Sequence, residues 1–279
     1  ASPVSIFTWP LSSNQDLPAS GIWLFEGRLK SLAESLSSIT VGAVCTALPR
    51  PNRAFWTLSA LWAGWLWGHD AVGPFRSVLR RQRYDWGWHT TALTASLSHL
   101  ANILSTNVPV FGLLGEFEAN YLAAALVAAD LAGLQLDSLA IRPELGQAQL
   151  HWHRATTSPP PSGLDPEKLA IQAASHYLEA RGEPSSFAHS FSAALAGIAQ
   201  AGYCHSLSQN TGVADDTAPD AYAQITAICK DVLAYRYGFL RFSPTAKSRS
   251  ESIPTPLPPD DSRPPGQAAL ASAEPSAEL

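Results

Sequence analysis

The spacing of apolar and polar positions along the chain predicts four strands in one sheet. Residues 39–48 (ITVGAVCTAL) are almost continuously apolar and predict a buried strand. A second apolar run at 108–115 predicts another strand. Residues 134–142 and 147–153 alternate apolar and polar side chains across a short turn, which predicts a final pair that adds one antiparallel edge strand. A further short strand is predicted at 21–25.

Between these strands, apolar residues recur at helical spacing. Helices are predicted at residues 29–36, 57–67, 90–104 and 116–132, and beyond the sheet at 166–181, around 187–202 and around 219–236. From residue 39 the order is strand, helix, helix, strand, helix, strand, strand. That order predicts an α/β sandwich whose parallel strands are joined by crossover helices.

Composition shifts divide the chain into segments. The predicted segments are an extended lead-in (1–20), an α/β domain (21–155), a linker (156–163), a helical appendage (164–242) and a disordered tail (243–279). In the appendage, Asp165 is placed to cap a helix that has Pro166 at its first position and Gly182 after its end. The tail contains no aromatic residue.

The composition indicates that something covers part of this surface. Charged residues make up 15% of the chain, against roughly 25% in an average domain. The formal net charge of −5 excludes a globally basic nucleic-acid binder, although a local basic patch stays possible. The chain contains no methionine, so either a leader was removed or the sequence is part of a longer polypeptide, and we favour the second explanation.

Cysteine and histidine spacing predicts no metal site. The three cysteines are Cys45, Cys204 and Cys229; Cys45 lies in the predicted apolar strand and Cys229 in a predicted helix, which predicts buried free thiols in a reducing cytoplasm. His89 and His99 are ten residues apart with no third ligand at metal spacing. No run reaches the roughly 20 apolar residues of a membrane span. Residues 55–68 therefore predict a buried or interfacial helix, and no membrane partner is expected.

The candidate site is the segment from residue 49 to 89, which holds six of the nine tryptophans. It starts with the turn PRPN, where a strand meets a helix and α/β sheets bind ligands. Asn52 is a candidate to hydrogen-bond an amide or amine, or it simply caps the helix. The rings on the helix either stack on bases or pack in the core, and helical spacing favours core packing for Leu58, Trp62 and Trp65. Phe55 and Trp56 are expected to line a cavity.

A local basic cluster follows the tryptophan helix. The candidate nucleic-acid-binding residues are Arg50, Arg76, Arg80, Arg81 and Arg83. The alternative is an ordinary solvated face, or pairing of the cluster with Glu116, Glu118 and Asp85. The chain has no P-loop, no GxSxG and no CxxC sequence, and the segment FGLLGE is not a dinucleotide fingerprint.

The turn Leu48-Pro49-Arg50-Pro51, followed by Leu58-Ser59 and Trp65-Leu66, resembles the target-base half of S-adenosylmethionine-dependent amino-methyltransferases. The likeness is greatest to large bacterial adenine-specific DNA methylases, whose strand ends in Asp-Pro-Pro-Tyr, and it covers roughly residues 21–154. The resemblance implies the C-terminal half of a Rossmann-like methyltransferase sheet with an antiparallel last strand. It also implies S-adenosylmethionine as cofactor and DNA as partner.

The sequence departs from that family at the chemical positions. The family's aspartate, which accepts a hydrogen bond from the target amine, is replaced by Leu48, and its base-stacking tyrosine is replaced by Pro51. Asn52, Phe55 and Trp56 are the candidates to substitute for them. Nothing in residues 1–38 resembles the glycine-rich cofactor loop.

Three functional hypotheses follow. The first is a methyltransferase-like chain that is not catalytic alone and either presents an aromatic and arginine surface to nucleic acid or completes a split enzyme. The second is an assembly module that docks on a partner subunit without nucleic acid. The third is an active enzyme with unusual cofactor binding.

Overall fold

A computed structural model describes residues 6–9, 22–25, 29–36, 40–50, 53–79, 85–142, 145–155, 163–211, 214–234 and 239. Its strands are β1 (Ile6–Trp9), β2 (Ile22–Phe25), β3 (Val44–Ala47), β4 (Val110–Leu114), β5 (Leu134–Arg142) and β6 (Gln147–Arg154). The first helices are α1 (Leu29–Ser35), α2 (Arg53–Trp67), a 3-10 helix (His69–Phe75), α3 (Arg76–Leu79), α4 (Trp86–Ile103) and α5 (Ala119–Leu131). The later ones are α6 (Pro166–Arg181), α7 (Phe187–Gln200), α8 (Tyr203–Thr211) and α9 (Ala214–Val232).

Four of the strands form one mixed sheet in the order β3-β4-β6-β5. β3 and β4 are parallel, and β6 is antiparallel to both of its neighbours. This arrangement confirms the α/β class and the antiparallel last strand. The predicted position of that strand was wrong, because β6 lies inside the sheet and β5 forms the edge. The reason is burial: β6 carries Ala148, Leu150 and Trp152, all fully buried, whereas β5 exposes polar side chains.

Helix α5 fills the space behind the sheet. Every residue from Tyr121 to Leu131 is buried, because the helix carries alanine and leucine on all sides. The sheet meets it with the buried side chains of Val110, Leu114 and Leu150. Trp152 lies across Gly112, where a Cβ atom would come within 2.3 Å of the indole ring. That position therefore requires glycine for the two strands to pack.

The later helices share this core. Phe191 of α7, Cys204 of α8 and Ile225 of α9 belong to the same buried cluster as α5, and the described residues up to Phe239 form one compact unit. Helix α6 begins and ends as its sequence predicts: the Asp165 carboxylate accepts from the N–H groups of Glu167 and Lys168, and Gly182 adopts a φ of 68° after the last turn.

Strand β3 is shorter and less buried than predicted. It spans Val44–Ala47, and its burial alternates between half-buried and exposed. Cys45 is exposed, so the prediction of a buried thiol there was wrong, while Cys204 and Cys229 are buried. The continuous apolar run suggested a central strand, but β3 pairs only with β4 within the described residues and therefore lies at an edge.

Strands β1 and β2 form a separate two-stranded parallel sheet. Within the parts of the chain that the structure describes, no helix has the length and apolar character needed to cross a membrane. The predicted disordered tail lies outside the described residues, as does the linker apart from Gly163.

A candidate site at the end of strand β3

The turn that follows β3 is held in place by its own chain. The Tyr121 hydroxyl donates a 2.5 Å hydrogen bond to the carbonyl oxygen of Leu48. The next carbonyl, that of Pro49, accepts a hydrogen bond from the His89 imidazole. Arg50 then forms an ion pair with Glu116 and donates a 2.7 Å hydrogen bond to Glu118. Three successive residues are thus fixed to the N-terminal parts of α4 and α5.

The side chains of His89 and Tyr121 that bond the turn belong to an aromatic cluster with Trp86. The rings of Trp86 and Tyr121 are stacked, with centroids 5.6 Å apart and an interplanar angle of 25°. His89 lies 5.9 Å from Trp86 and 6.0 Å from Tyr121. Such ring pairs add to the stability that burial provides. Helices α4 and α5 are therefore fixed to each other where the turn of β3 meets them.

Burial controls the protonation of this cluster. It lowers the pKa of His89 from 6.5 to about 4, although the hydrogen bond to Pro49 opposes the shift. The Nε2 atom of His89 is buried and has no hydrogen-bond partner among the described residues. Burial also raises the pKa of Tyr121 to about 12, against the opposing charge of Arg50. Both side chains are neutral at pH 7, so the turn rests on uncharged hydrogen-bond donors.

The pairing of Arg50 bears on its predicted contact with nucleic acid. Its guanidinium lies between two carboxylates that precede α5, and its side chain is about one third exposed. A phosphate would have to compete with both carboxylates for the same donors. The sequence offered Glu116 and Glu118 as partners for the later arginines, whereas the structure places them on Arg50.

The tryptophan helix does not pack in the core of the described residues, so that prediction was wrong. Trp65 is 84% exposed and Leu61 is 65% exposed. The exposed large apolar side chains of α2 are Leu58, Leu61, Trp62, Trp65, Leu66 and Trp67. Helical spacing predicted an apolar face correctly, but the side chains of that face are exposed. Among the described side chains of α2, Ala60 and Ala63 are the buried ones.

The remaining predicted site residues are spread around α2. Trp56 is half-buried against Phe75, with ring centroids 6.3 Å apart. Arg76 is exposed, and its guanidinium lies 3.5 Å from Nε2 of His69. Asp85 caps α4 by accepting from the N–H of Trp88 at 2.7 Å. Asn52, Pro51, Arg80, Arg81, Arg83 and the side chain of Phe55 lie outside the described residues.

Within the described part of the chain, the face of the sheet opposite α5 has exposed side chains. Phe111 is 44% exposed there, beside the exposed residues Cys45 and Ala47. Together with Leu113 and Gln149 they line a groove of about 390 Å³. Among the described residues, the helices thus cover one face of the sheet and leave Phe111 and its neighbours exposed on the other.

A histidine pair borders this face. The ring of His151 stacks on Phe111 with centroids 4.7 Å apart. Asp137 lies between the two histidines, with its carboxylate 2.7 Å from Nδ1 of His153 and 3.5 Å from Nδ1 of His151. In the described ranges, no group of three or more histidine, cysteine, aspartate or glutamate side chains is arranged to hold a metal ion.

A second buried titratable group lies on the far side of α5. The carboxylate of Asp130 accepts a 2.7 Å hydrogen bond from the backbone N–H of Cys204, in the first turn of α8. Burial raises the pKa of Asp130 to about 7, although the backbone N–H groups of Cys204 and His205 oppose the shift. Burial likewise raises the pKa of the Cys204 thiol well above its usual value.

Sequence reasoning did not identify Tyr121, His89 and Asp130 as structural groups. The one available signal was a polar residue in an apolar helical run, as at Asp130 within LVAADLAG.

Comparison of the chain with models of known protein families, with curated proteins and with solved structures finds no match.

Proposed function

We propose that this chain is the C-terminal half of a methyltransferase-like domain that is not catalytic alone and completes a split enzyme. The observation that carries the proposal is the turn after β3, which occupies the target-base position in the family that the sequence resembles. Its Leu48 and Pro49 carbonyls accept internal hydrogen bonds and Arg50 is paired with carboxylates. A turn fixed in this way serves as a scaffold rather than as a reactive group.

The strand arrangement supports the same proposal. The parallel pair β3 and β4, the helix α5 and the antiparallel last strand β6 follow the order that the resemblance implies for the C-terminal part of that fold. A doubly wound sheet binds its ligand where the strand order reverses, between two halves. One half alone presents only one wall of such a site.

The cofactor test uses the purified chain and the complex that it forms in its native cells. We expect no saturable binding of S-adenosylmethionine to the chain alone in isothermal titration calorimetry. The complex, isolated through a tag on this chain, should bind the cofactor and transfer a tritiated methyl group to DNA. Micromolar binding by the chain alone would favour the active-enzyme hypothesis. A complex that binds no cofactor would remove the methyltransferase proposal.

A second candidate is an assembly module that docks on a partner protein without nucleic acid. The exposed apolar face of α2 favours it, because soluble proteins rarely leave six large apolar side chains of one helix in water. Trp62 and Trp65 lie edge to face with centroids 5.8 Å apart, and such paired aromatic rings are common anchors of interfaces. A stable complex that binds neither DNA nor S-adenosylmethionine would support this candidate over the first.

A further inference from the structure

Asp130, in the last turn of α5, is 1% exposed, so its carboxyl group is closed off from water. The cavity beside it measures about 10 Å³, which is room for about one water molecule. Besides Cys204, the other residues that line this cavity are apolar: Leu126, Val127, Leu195, Ile198, Ala199 and Ile225. No lysine or arginine among the described side chains forms an ion pair with Asp130. A negative charge on this carboxyl is therefore neither well hydrated nor neutralised.

The first turn of α8 lies against the carboxyl. The backbone N–H of Cys204 donates a 2.7 Å hydrogen bond to Oδ2 of Asp130, and the backbone N–H of His205 acts on the same group. Tyr203 and Cys204 are buried, whereas His205 and Ser206 are half-buried. Water therefore reaches Asp130 only if one of the helices packed around it moves.

Helix α8 is the element that gives way most easily. It has nine residues and reads YCHSLSQNT, whereas α7 has 14 residues and α9 has 19. A helix this short and this polar is not stable without tertiary contacts. Gly202 joins it to α7 with a φ of 70°, a conformation that glycine adopts without strain. Local opening starts in such weakly held elements, so Gly202 is the natural hinge.

Opening of α8 changes the affinity of Asp130 for a proton. The two N–H groups and the helix N-terminus favour the charged form, but burial outweighs them and raises the pKa of Asp130 to about 7. With α8 open, the carboxyl faces water and has the ordinary aspartate pKa of 3.8. Between these two values the closed form keeps its proton and the open form loses it. Opening therefore releases one proton in this range of pH.

The other titratable groups around the carboxyl separate cleanly from it. Burial raises the pKa of Tyr203, Cys204 and Cys229, so all three stay neutral near pH 7. Helix α7 faces the cavity with apolar side chains. Burial lowers the pKa of His205 below 6.5, so this ring takes up a proton on opening, with the opposite sign to Asp130.

From these observations we propose that Asp130 is a proton-controlled latch on α8, which opens about Gly202 more often as the buried carboxyl gives up its proton. The closed helix covers Cys204 and the apolar side chains that line the cavity. The open helix exposes both. The chain thus carries a local conformational switch that responds to pH, and this switch does not depend on the proposed function.

Hydrogen–deuterium exchange of the full chain between pH 5 and 9 tests the latch. Peptides from α8 report the local opening, and the slowest amides of α6 report unfolding of the whole chain. Asp130→Asn keeps an oxygen that accepts from Cys204 but never ionises. The exchange rate of the original chain is divided by that of Asp130→Asn at each pH. This ratio cancels both the intrinsic chemistry of exchange and the effect of His205.

We expect the ratio for α8 to rise by about tenfold or more from pH 5 to pH 7 and to change less than about twofold from pH 7.5 to pH 9. At pH 8 the α8 amides of the original chain should exchange at least about tenfold faster than the slowest amides of α6. Asp220→Asn, which removes an exposed carboxylate of α9, is the matched control and should leave the α8 rates unchanged. A flat ratio would overturn the latch. Equal protection of α8 and α6 would also overturn it, because the opening would then be global.

Cys204 gives a second readout of the same opening. In a Cys45→Ser background, which removes the exposed thiol, a small disulfide reagent at pH 8 should label Cys204 about tenfold or more faster with Asp130 than with Asp130→Asn. Equal labelling rates would contradict the proposal. His205→Gln removes the opposing titration, so exchange of α8 in that variant, corrected for intrinsic rates, should rise with pH while Asp130 is in place. No rise in that variant would overturn the latch without any change at position 130.

Discussion

The Tyr121 hydroxyl on α5 donates a 2.5 Å hydrogen bond to the carbonyl oxygen of Leu48, at the end of β3. Both groups are buried. Without this donor the carbonyl would stay buried and unsatisfied, which costs about 1 to 3 kcal/mol. The bond therefore ties the edge strand to the helix that forms the core.

We expect Tyr121→Phe to lower the free energy of unfolding by about 1 to 3 kcal/mol, because it removes the donor and keeps the ring. Urea denaturation followed by circular dichroism measures the change. Tyr177→Phe is the matched control: its hydroxyl lies 3.4 Å from partners on Arg181 and Ser185 near the surface. That variant should lose less than about 0.5 kcal/mol. Equal losses would mean that the Tyr121 bond does not hold the turn.

His89 should make the protein less stable in acid. Its pKa in the folded state is about 4, below the 6.5 of an unperturbed histidine, so the unfolded state takes up a proton first. The stability that neutral His89 gives to the folded state is fully present above pH 6.5 and is lost as the pH falls from 6.5 towards 4. We expect His89→Gln, which keeps a side-chain donor for Pro49, to flatten the pH dependence of stability in that window. An unchanged slope would show that His89 does not titrate on unfolding.

Asp130 should make the protein more stable in acid than at neutral pH. Its folded pKa of about 7 lies above the 3.8 of a free aspartate, so the folded state retains the proton longer. The stability that protonated Asp130 gives to the folded state is greatest below pH 3.8 and is lost as the pH rises from 3.8 through 7. We therefore expect Asp130→Asn, whose amide oxygen still accepts from Cys204, to gain stability relative to the original chain between pH 4 and 8. A constant difference across that range would contradict the shift.

The exposed face of α2 predicts a substitution that leaves folding intact. We expect Leu61→Ser with Trp65→Ser to lower the free energy of unfolding by less than about 1 kcal/mol, since both side chains are in water and the contact of Trp65 with Trp62 is the one ring pair lost. The same variant should bind less of a fluorescent hydrophobic dye. Ala63→Leu, at a buried position of the same helix, should cost about 1 to 3 kcal/mol through overpacking. A large loss in the double variant would mean that the chain itself covers this face.

The arginine cluster gives a test of nucleic-acid binding. If Arg80 and Arg81 contact phosphates, Arg80→Ala with Arg81→Ala should weaken binding to duplex DNA and reduce the slope of log K against log salt by about 2. Fluorescence anisotropy at several salt concentrations measures both. Arg50→Ala is the control, because Glu116 and Glu118 already engage that guanidinium. Unchanged binding in the double variant would remove the basic cluster from the proposal.

Local sequence determined most of the secondary structure. Strand β5 spans 134–142 as its alternation predicts, and α6 begins after Asp165 and ends before Gly182, because caps and alternation act between neighbouring residues. Helix α8 was not predicted. Its segment YCHSLSQNT is polar, and its first turn is capped by Asp130, 74 positions earlier in the chain.

The candidate site depended on contacts that no local pattern encodes. Proline and an apolar strand located the turn after β3, but only the fold brought Tyr121, His89 and Glu118 to it. An apolar run predicts that its side chains are buried, but it does not specify which other element covers them. The sequence by itself therefore determined most of the helices and strands, apart from elements such as α8 that depend on distant contacts. The tertiary structure decided that β3 lies at an edge and that α2 is exposed, because those properties depend on which elements pair and which neighbours are present.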